Sequence, residues 1–261
     1  MPTDNTVRST TKIAIVTGGS RGLGRSTVLA LAKRGVHSIF TYNTNRAEAD
    51  KVVGAVRELG AKAVVLQLDT SDVKSLDAFV LRVRSALAEL GAERFDYLVN
   101  NAGTSLHVPF DQATEAQVDG VFNVHFKSVF FLTQKLLPVI KDGGRIVNIS
   151  SGLARAGLTF NGSAPYAAMK GAVEVLTRYL AKELGPRGIA VNTVAPGPIA
   201  TDFSGGALRD NPELNKLISS MTSLGRTGVP EDIGPMIALL LADENRWISG
   251  QRIEVSGGIG V

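Results

Sequence analysis

A chain of 261 residues with 44% hydrophobic and 20% charged side chains is long and apolar enough to fold around a full core, which excludes a disordered chain. It contains no cysteine, so disulfides, thiolate metal sites, iron–sulfur clusters and a thiol nucleophile are excluded together. With 28 basic against 24 acidic residues the net charge is +4, which suits an anionic small ligand as well as nucleic acid and selects neither.

The segment Met1–Thr11 is polar, lacks the apolar stretch of a signal peptide, and reads as a frayed tail ahead of one domain over residues 12–261. Lys12–Thr17 (KIAIVT) then reads as a buried strand, followed by a glycine-rich turn and a helix over Arg25–Lys33. Val36–Tyr42 is a second strand. Arg46–Leu59 places Ala49, Val52, Val53, Val56 and Leu59 on one helical face and stops at Gly60. Strand Ala63–Leu68, helix Val73–Leu90, strand Phe95–Val99 and a long helix Glu115–Leu137 follow, then strand Arg145–Ser150, helix Ala164–Leu184 and strand Ile189–Val194. Pro198–Gly228 is the loosest stretch, with a short amphipathic piece at Asn211–Met221. It follows a strand, so it is expected at the ligand end of the sheet as a lid. Arg252–Val255 is the last strand. The longest apolar run, Ile237–Ala242, is far short of the ~18 residues of a membrane span, so a cytoplasmic protein with no membrane partner is expected. Short β-branched strands alternating with helices predict an α/β protein: a doubly wound Rossmann fold with a seven-stranded parallel sheet and helices on both faces.

Thr17-Gly18-Gly19-Ser20-Arg21-Gly22-Leu23-Gly24 joins the first strand to its helix. Glycines at 18, 22 and 24 let the backbone turn sharply and approach a pyrophosphate, with the helix N-terminal amides facing the anion. The spacing, T-G-x-x-x-G-x-G, departs from the G-x-G-x-x-G dinucleotide fingerprint. Further along stand Asn100-Asn101-Ala102-Gly103 after the fourth strand, Asn123 in the next helix, Ser151 after the fifth strand, Tyr166-Ala167-Ala168-Met169-Lys170, and Pro196-Gly197-Pro198-Ile199 with Thr201. In this order and context the set resembles the short-chain dehydrogenase/reductase family, from Lys12 to the C-terminus.

The residues carry the chemistry. Tyr166 and Lys170 are four apart and share one helical face. A free phenol has a pKa near 10, and a nearby ammonium favours its phenolate. Tyr166 is therefore expected to protonate a ketone oxygen as hydride arrives, or to take the proton from an alcohol in reverse. Ser151 is expected to donate to that oxygen. Ser151 is preferred over the runner-up Ser150, which should point to the other side of the sheet. The resemblance implies that Lys170, with Tyr166 beside it, holds the nicotinamide ribose and that Asn123 holds a water linking Lys170 to solvent. It also implies that the cofactor lies on Gly18, Ser20, Arg21, Gly22, Leu23 and Gly24, then on Tyr42, Asn43, Asp69, Thr70, Asn101, Ala102, Gly103, Pro196, Gly197, Ile199 and Thr201.

The end of the second strand, Tyr42-Asn43-Thr44-Asn45-Arg46, lacks the acid that binds ribose hydroxyls in NAD sites, and Arg21 can reach the same corner. NADP(H) is therefore expected, with Arg46 a weaker phosphate ligand. His37, His107 and His125 show no metal-ligand spacing, so no metal is expected; His107, after the fourth strand, is read as a surface residue, with an edge of the substrate pocket as the alternative. No basic stripe with interleaved aromatics points to nucleic acid. The expected activity is reduction of a small-molecule ketone, or oxidation of the alcohol. A 3-oxoacyl-(acyl-carrier-protein) reductase is the alternative, and a non-catalytic NADP(H)-binding redox sensor is the alternative of another class. Carrier-protein use asks for a basic pocket mouth; Arg187 fits that, whereas Asp142 does not. The resemblance implies a homotetramer, with helices 115–137 and 164–184 and the last strand pairing between subunits. Val129, Phe130, Leu132, Leu136 and Leu137 would then serve core or interface. Ala154–Gly162 and the lid are expected to shape the pocket.

Overall fold

The computed structural model describes residues 11–155 and 159–260. The tail expectation for residues 1–10 and the middle of the pocket loop, residues 156–158, lie outside the described residues. Seven strands form one parallel sheet in the order β3-β2-β1-β4-β5-β6-β7. They are β1 (Ile13–Val16), β2 (His37–Tyr42), β3 (Ala63–Gln67), β4 (Phe95–Asn100), β5 (Ile140–Ile149), β6 (Ala190–Pro196) and β7 (Arg252–Val255). The order reverses between β1 and β4, where right-handed crossovers open a crevice beyond the carboxyl ends of the strands.

Alternation along each strand divides the core in two. Ala14, Val16, Phe40, Val99, Val147 and Val194 face one side. There they meet Val28 and Leu31 of α1 (Gly22–Lys33), Val52 and Val56 of α2 (Arg46–Glu58), and Ile233 and Ile237 of α9 (Pro230–Leu240). Ile13, Ile15, Ile39, Leu98, Ile146 and Val191 face the other. They pack on Phe79 and Val83 of α3 (Leu76–Glu89), Leu132 and Leu136 of α5 (Ser128–Leu136), and Leu184 of α6 (Ala164–Leu184). The expected doubly wound fold is therefore present. A buried carboxylate ties its lower edge: Asp96 accepts from the Ile13 amide (2.8 Å) and from Lys141 (3.0 Å), joining β1, β4 and β5.

Two elements differ from the sequence reading. β5 begins at Ile140, which pairs with Phe95 ahead of a register shift, so it is longer than Arg145–Ser150. The helix expected over Glu115–Leu137 is broken into α4 (Glu115–Phe122), a wide π turn at Asn123–Lys127, and α5. In that turn the Ser128 amide bonds to the Asn123 carbonyl, five residues back, so one residue more than usual fits in the turn. Hydrophobic periodicity cannot register that insertion. The lid contains α7 (Ala207–Asp210) and α8 (Pro212–Met221), the latter capped by Asn211. Its two ends are tied together: the Gly228 amide donates to Pro198 and the Ala200 amide to Gly228.

Candidate active site

The turn after β1 is built by its neighbours. The Gly18 amide donates to Thr41 Oγ1 (3.0 Å) and the Gly19 amide to the Thr41 carbonyl (2.8 Å). Asn101 closes the other side, its Nδ2 donating to the carbonyls of Thr17 (2.8 Å) and Gly18 (3.1 Å). The amides of Asn101 and Ala102 both donate to Thr17 Oγ1. Two glycines are obligatory. Gly18 sits at φ +66°, and a Cβ on Gly24 would fall 2.1 Å from the Gly18 carbonyl oxygen.

The loop fits a dinucleotide pyrophosphate on its own chemistry. No side chain caps α1 at Arg21, so the first-turn amides remain available to an anion. Arg21 is exposed and makes no ion pair among the described residues. Ser20 and Leu23 lie in the same turn, and Thr201 faces Gly22, where an added Cβ would stand 3.7 Å from its methyl. Arg46 is engaged elsewhere: it donates to Asp50 at 2.8 Å and lies 5.8 Å from the Tyr42 ring. Beside buried Tyr42, Asn43 is exposed and its carbonyl accepts from Gln67. Asp69 is exposed and binds the Ser71 amide and hydroxyl through one oxygen, with Thr70 between them. Gly197 is pinned against β7, its amide donating to Val255 (3.0 Å), and Ile199 pairs with Gly228. These strand ends and Gly103 line the carboxyl edge of the sheet.

Tyr166 and Lys170 lie one turn apart on α6, with the Lys170 Nζ 5.6 Å from the Tyr166 ring centre. The Lys170 ammonium donates to the Ile149 carbonyl at 2.7 Å, which fixes it at the end of β5. Ser151 follows that strand and lies near enough to Tyr166 to favour its phenolate, while its Oγ accepts from the Leu153 amide at 3.2 Å. The Ser150 hydroxyl is engaged elsewhere, donating to Glu174 Oε1 at 2.6 Å.

Burial governs the proton affinities. Desolvation pushes the Tyr166 phenol up to about 12, with the neighbouring Ser151 hydroxyl pulling the other way. Desolvation lowers Lys170 to about 7. The expectation that Lys170 makes the phenol acidic is thus outweighed in this structure. A charge only part-populated at neutral pH offsets little of the cost of burying a phenolate, and the phenol is held protonated.

Asn123 requires correction. Its side chain makes no hydrogen bond among the described residues. The residue that reaches Tyr166 is His125: its ring meets the phenol edge-to-face at 5.0 Å. Two residues along a helix point to nearly opposite sides, so Asn123 and His125 cannot both face the site. His125 is 1% exposed and lies 2.7 Å from the Thr104 carbonyl through Nε2. Burial and the Lys170 charge lower its pKa to about 3, so it is neutral. Sequence reading missed it because the wide π turn shifts the phase of the helix.

A buried ladder, also missed, holds α6 in rotation. Asn100 Nδ2 donates to Asn148 Oδ1 (2.8 Å), Asn148 Nδ2 to Thr177 Oγ1 (2.9 Å), and Thr193 Oγ1 to Thr177 (2.8 Å). Thr177 is two turns beyond Lys170 on the same face. A threonine on an otherwise apolar helical face was the available signal. Phe203 of the lid, 6.1 Å from the Tyr166 ring, was missed as well.

Arg187 is a second correction. It donates to Asp142 Oδ1 (2.8 Å) and to the carbonyls of Leu137 and Ile140. Ile140 opens β5, so Arg187 stands at the amino end of the sheet, opposite the site, and is no part of the pocket mouth. His107 is exposed and lies over Gly162, where an added Cβ would stand 2.8 Å from its ring. No helix among the described residues is long and apolar enough to cross a membrane.

A family model described as enoyl-(acyl carrier protein) reductase matches residues 18–260. The hydroxynaphthalene reductase-like protein Arp2 of Metarhizium brunneum is 36% identical over 257 residues, covering 95% of this chain and 94% of the relative. Among solved structures, a short-chain dehydrogenase/reductase from Serratia marcescens is 33% identical with a TM-score of 0.88, covering 96% and 98% of the two chains. The landomycin C-6 ketoreductase LanV, solved with NADP and rabelomycin, is 32% identical with a TM-score of 0.86, covering 95% and 96%. With its parallel sheet, its glycine turn and Tyr166 and Lys170 on one helical face, the chain belongs to the short-chain dehydrogenase/reductase family.

Proposed function

We propose that the protein is an NADP(H)-dependent reductase of ketones, with Ser151, Tyr166 and Lys170 as its catalytic set. The observation that carries this reading is a buried phenol one helical turn from an ammonium fixed at the end of β5, with Ser151 beside it at the carboxyl edge of the sheet. NADPH, when bound, supplies the hydride to the carbonyl carbon. Tyr166 donates its proton to the carbonyl oxygen, and Ser151 donates a hydrogen bond to that oxygen as charge develops on it. Lys170 stands where it can stabilise the resulting phenolate and bond to the nicotinamide ribose. Gly18, Ser20, Gly22, Leu23 and Gly24 would hold the pyrophosphate, and Arg21 the 2′-phosphate. Tyr42, Asn43, Asp69 and Thr70 would border the adenosine, and Asn101, Ala102, Gly103, Pro196, Gly197, Ile199 and Thr201 the nicotinamide half.

The substrate we propose is a flat aromatic or polyketide-type ketone rather than a thioester on a carrier protein. Phe203 and His125 flank the Tyr166 ring with aromatic faces and edges. Relatives named for hydroxynaphthalene reduction and landomycin ketoreduction support this. Arg187, committed at the far end of the sheet, removes the one basic residue expected to meet a carrier protein. The test is NADPH oxidation, followed by absorbance, with aromatic ketones, aliphatic ketones and 3-oxoacyl thioesters. Aromatic ketones should turn over fastest, and Tyr166→Phe should lose about 100- to 10,000-fold in kcat while still binding NADPH. NADPH binding without turnover of any carbonyl compound would leave the redox-sensor alternative instead.

We also propose that the protein assembles as a homotetramer. An apolar groove of about 580 Å³ runs between α5 and α6, lined by Phe126, Phe130, Val175, Leu176 and Tyr179. An exposed apolar groove of this kind suits a contact between copies of the chain.

A further inference from the structure

His125 is buried against the catalytic phenol, yet its ring is only half satisfied. Nε2 lies 2.7 Å from the Thr104 carbonyl, so it carries the hydrogen and donates it there. Nδ1 is then left with a lone pair, and it is buried with no hydrogen-bond partner among the described residues. A buried acceptor without a donor costs free energy, so its presence asks for a partner such as a water or a group of the reaction. The donors at hand belong to the site. Lys170 spends one hydrogen on the Ile149 carbonyl, which leaves its others free, and it is close enough for its charge to act on the imidazole. Gly103 packs against the same edge of the ring: a Cβ there would stand 2.9 Å from Cε1 and 3.5 Å from Nδ1.

We infer that His125 is a positioning residue for the reaction, a fixed neutral acceptor whose Nδ1 receives a hydrogen bond from the Lys170 side, directly or through one water, and so holds the lysine beside the Tyr166 phenol. The imidazole takes up no proton in this role. Its Nε2–H is committed to Thr104, and its low proton affinity keeps it neutral through the working range. The wide π turn at Asn123–Lys127 acquires a purpose: it rotates His125 into the cluster and takes Asn123 out of it.

This inference rests on the reductase reading, and two variants separate their failures. If Tyr166→Phe keeps wild-type turnover, the reductase reading fails. For His125 the pair is His125→Phe, which keeps an aromatic edge but no acceptor, and His125→Asn, which keeps a short polar acceptor but no ring. With an aromatic ketone, His125→Phe should lower kcat by about 10- to 100-fold. Its NADPH dissociation constant and ketone KM should stay within about twofold, since neither ligand is bound by the acceptor. His125→Asn should recover most of that loss. Unchanged kcat in His125→Phe, or equal losses in both variants with NADPH binding intact, overturns the inference. If His125→Phe does not fold, His125→Ala replaces it in the comparison: activity in His125→Asn but not in His125→Ala supports the acceptor role, and equal activity refutes it.

Discussion

Tyr166, Lys170 and His125 occupy one buried cluster, and each is pushed toward its neutral form by loss of water. The consequences for stability differ in sign. His125 has a folded pKa of about 3 against 6.5 unfolded, so between these values the unfolded chain binds a proton that the folded one does not. Its contribution is complete above pH 6.5 and is lost as pH falls toward 3, at up to about 1.4 kcal/mol per unit. Tm measured from pH 7 to pH 4 should therefore fall less steeply in His125→Phe than in the wild type. Lys170 loses its contribution as pH falls from 10.5 to about 7, and Tyr166 loses its own as pH rises from 10 to about 12. Cofactor choice is also a residue-scale matter. Arg21 is the exposed cation of the phosphate turn, and a charge-assisted hydrogen bond contributes about 1.5–3 kcal/mol. Arg21→Ala should weaken NADPH binding by about 10- to 100-fold and leave NADH binding nearly unchanged, as read by fluorescence titration.

At the scale of elements, α6 carries the chemistry and its neighbours set its rotation. The Asn100–Asn148–Thr177–Thr193 ladder links β4, β5, α6 and β6 with every bond buried. This fixes which face of α6, and so which side chains, meets the carboxyl edge. The opposite edge holds a second anchor at Asp96, whose side chain is 4% exposed and pairs with Lys141. Its loss strands the Ile13 amide, while Lys12 and Lys141 can turn to water. Asp96→Ala should therefore cost about 1–3 kcal/mol by denaturant titration. Its kcat per folded molecule should be unchanged, because the anchor lies at the far end of the strands. The apolar residues of α5 sort cleanly: Val129, Leu132 and Leu136 are buried in the fold, whereas Phe130 is 38% exposed and lines the groove.

At the scale of the molecule, exposed apolar side chains are spread over the described surface, and one group of them lines the groove between α5 and α6. Val175 is 45% and Tyr179 65% exposed on α6, facing the groove. A charge placed there would be desolvated by any partner copy. Val175→Glu together with Tyr179→Glu should lower the mass read by light scattering and make Tm independent of protein concentration. An unchanged mass would place assembly elsewhere or remove it.

Much of this protein could be read from residue order because the signals are local. The strand runs, the glycine turn and the four-residue spacing of Tyr166 and Lys170 each depend on a few neighbouring residues obeying fixed periods. Seven such strands in alternation with helices leave little choice but a doubly wound sheet. Three things needed the folded chain. The side chain presented to the phenol is His125 rather than Asn123, because a single wide turn changes helical phase without changing the apolar pattern. Arg187 faces away from the pocket, because only strand direction tells which end of β5 it meets. The proton affinities of Tyr166 and Lys170 follow from how much water the packed sheet, α6 and the lid exclude, a property of many distant residues together and of none by itself.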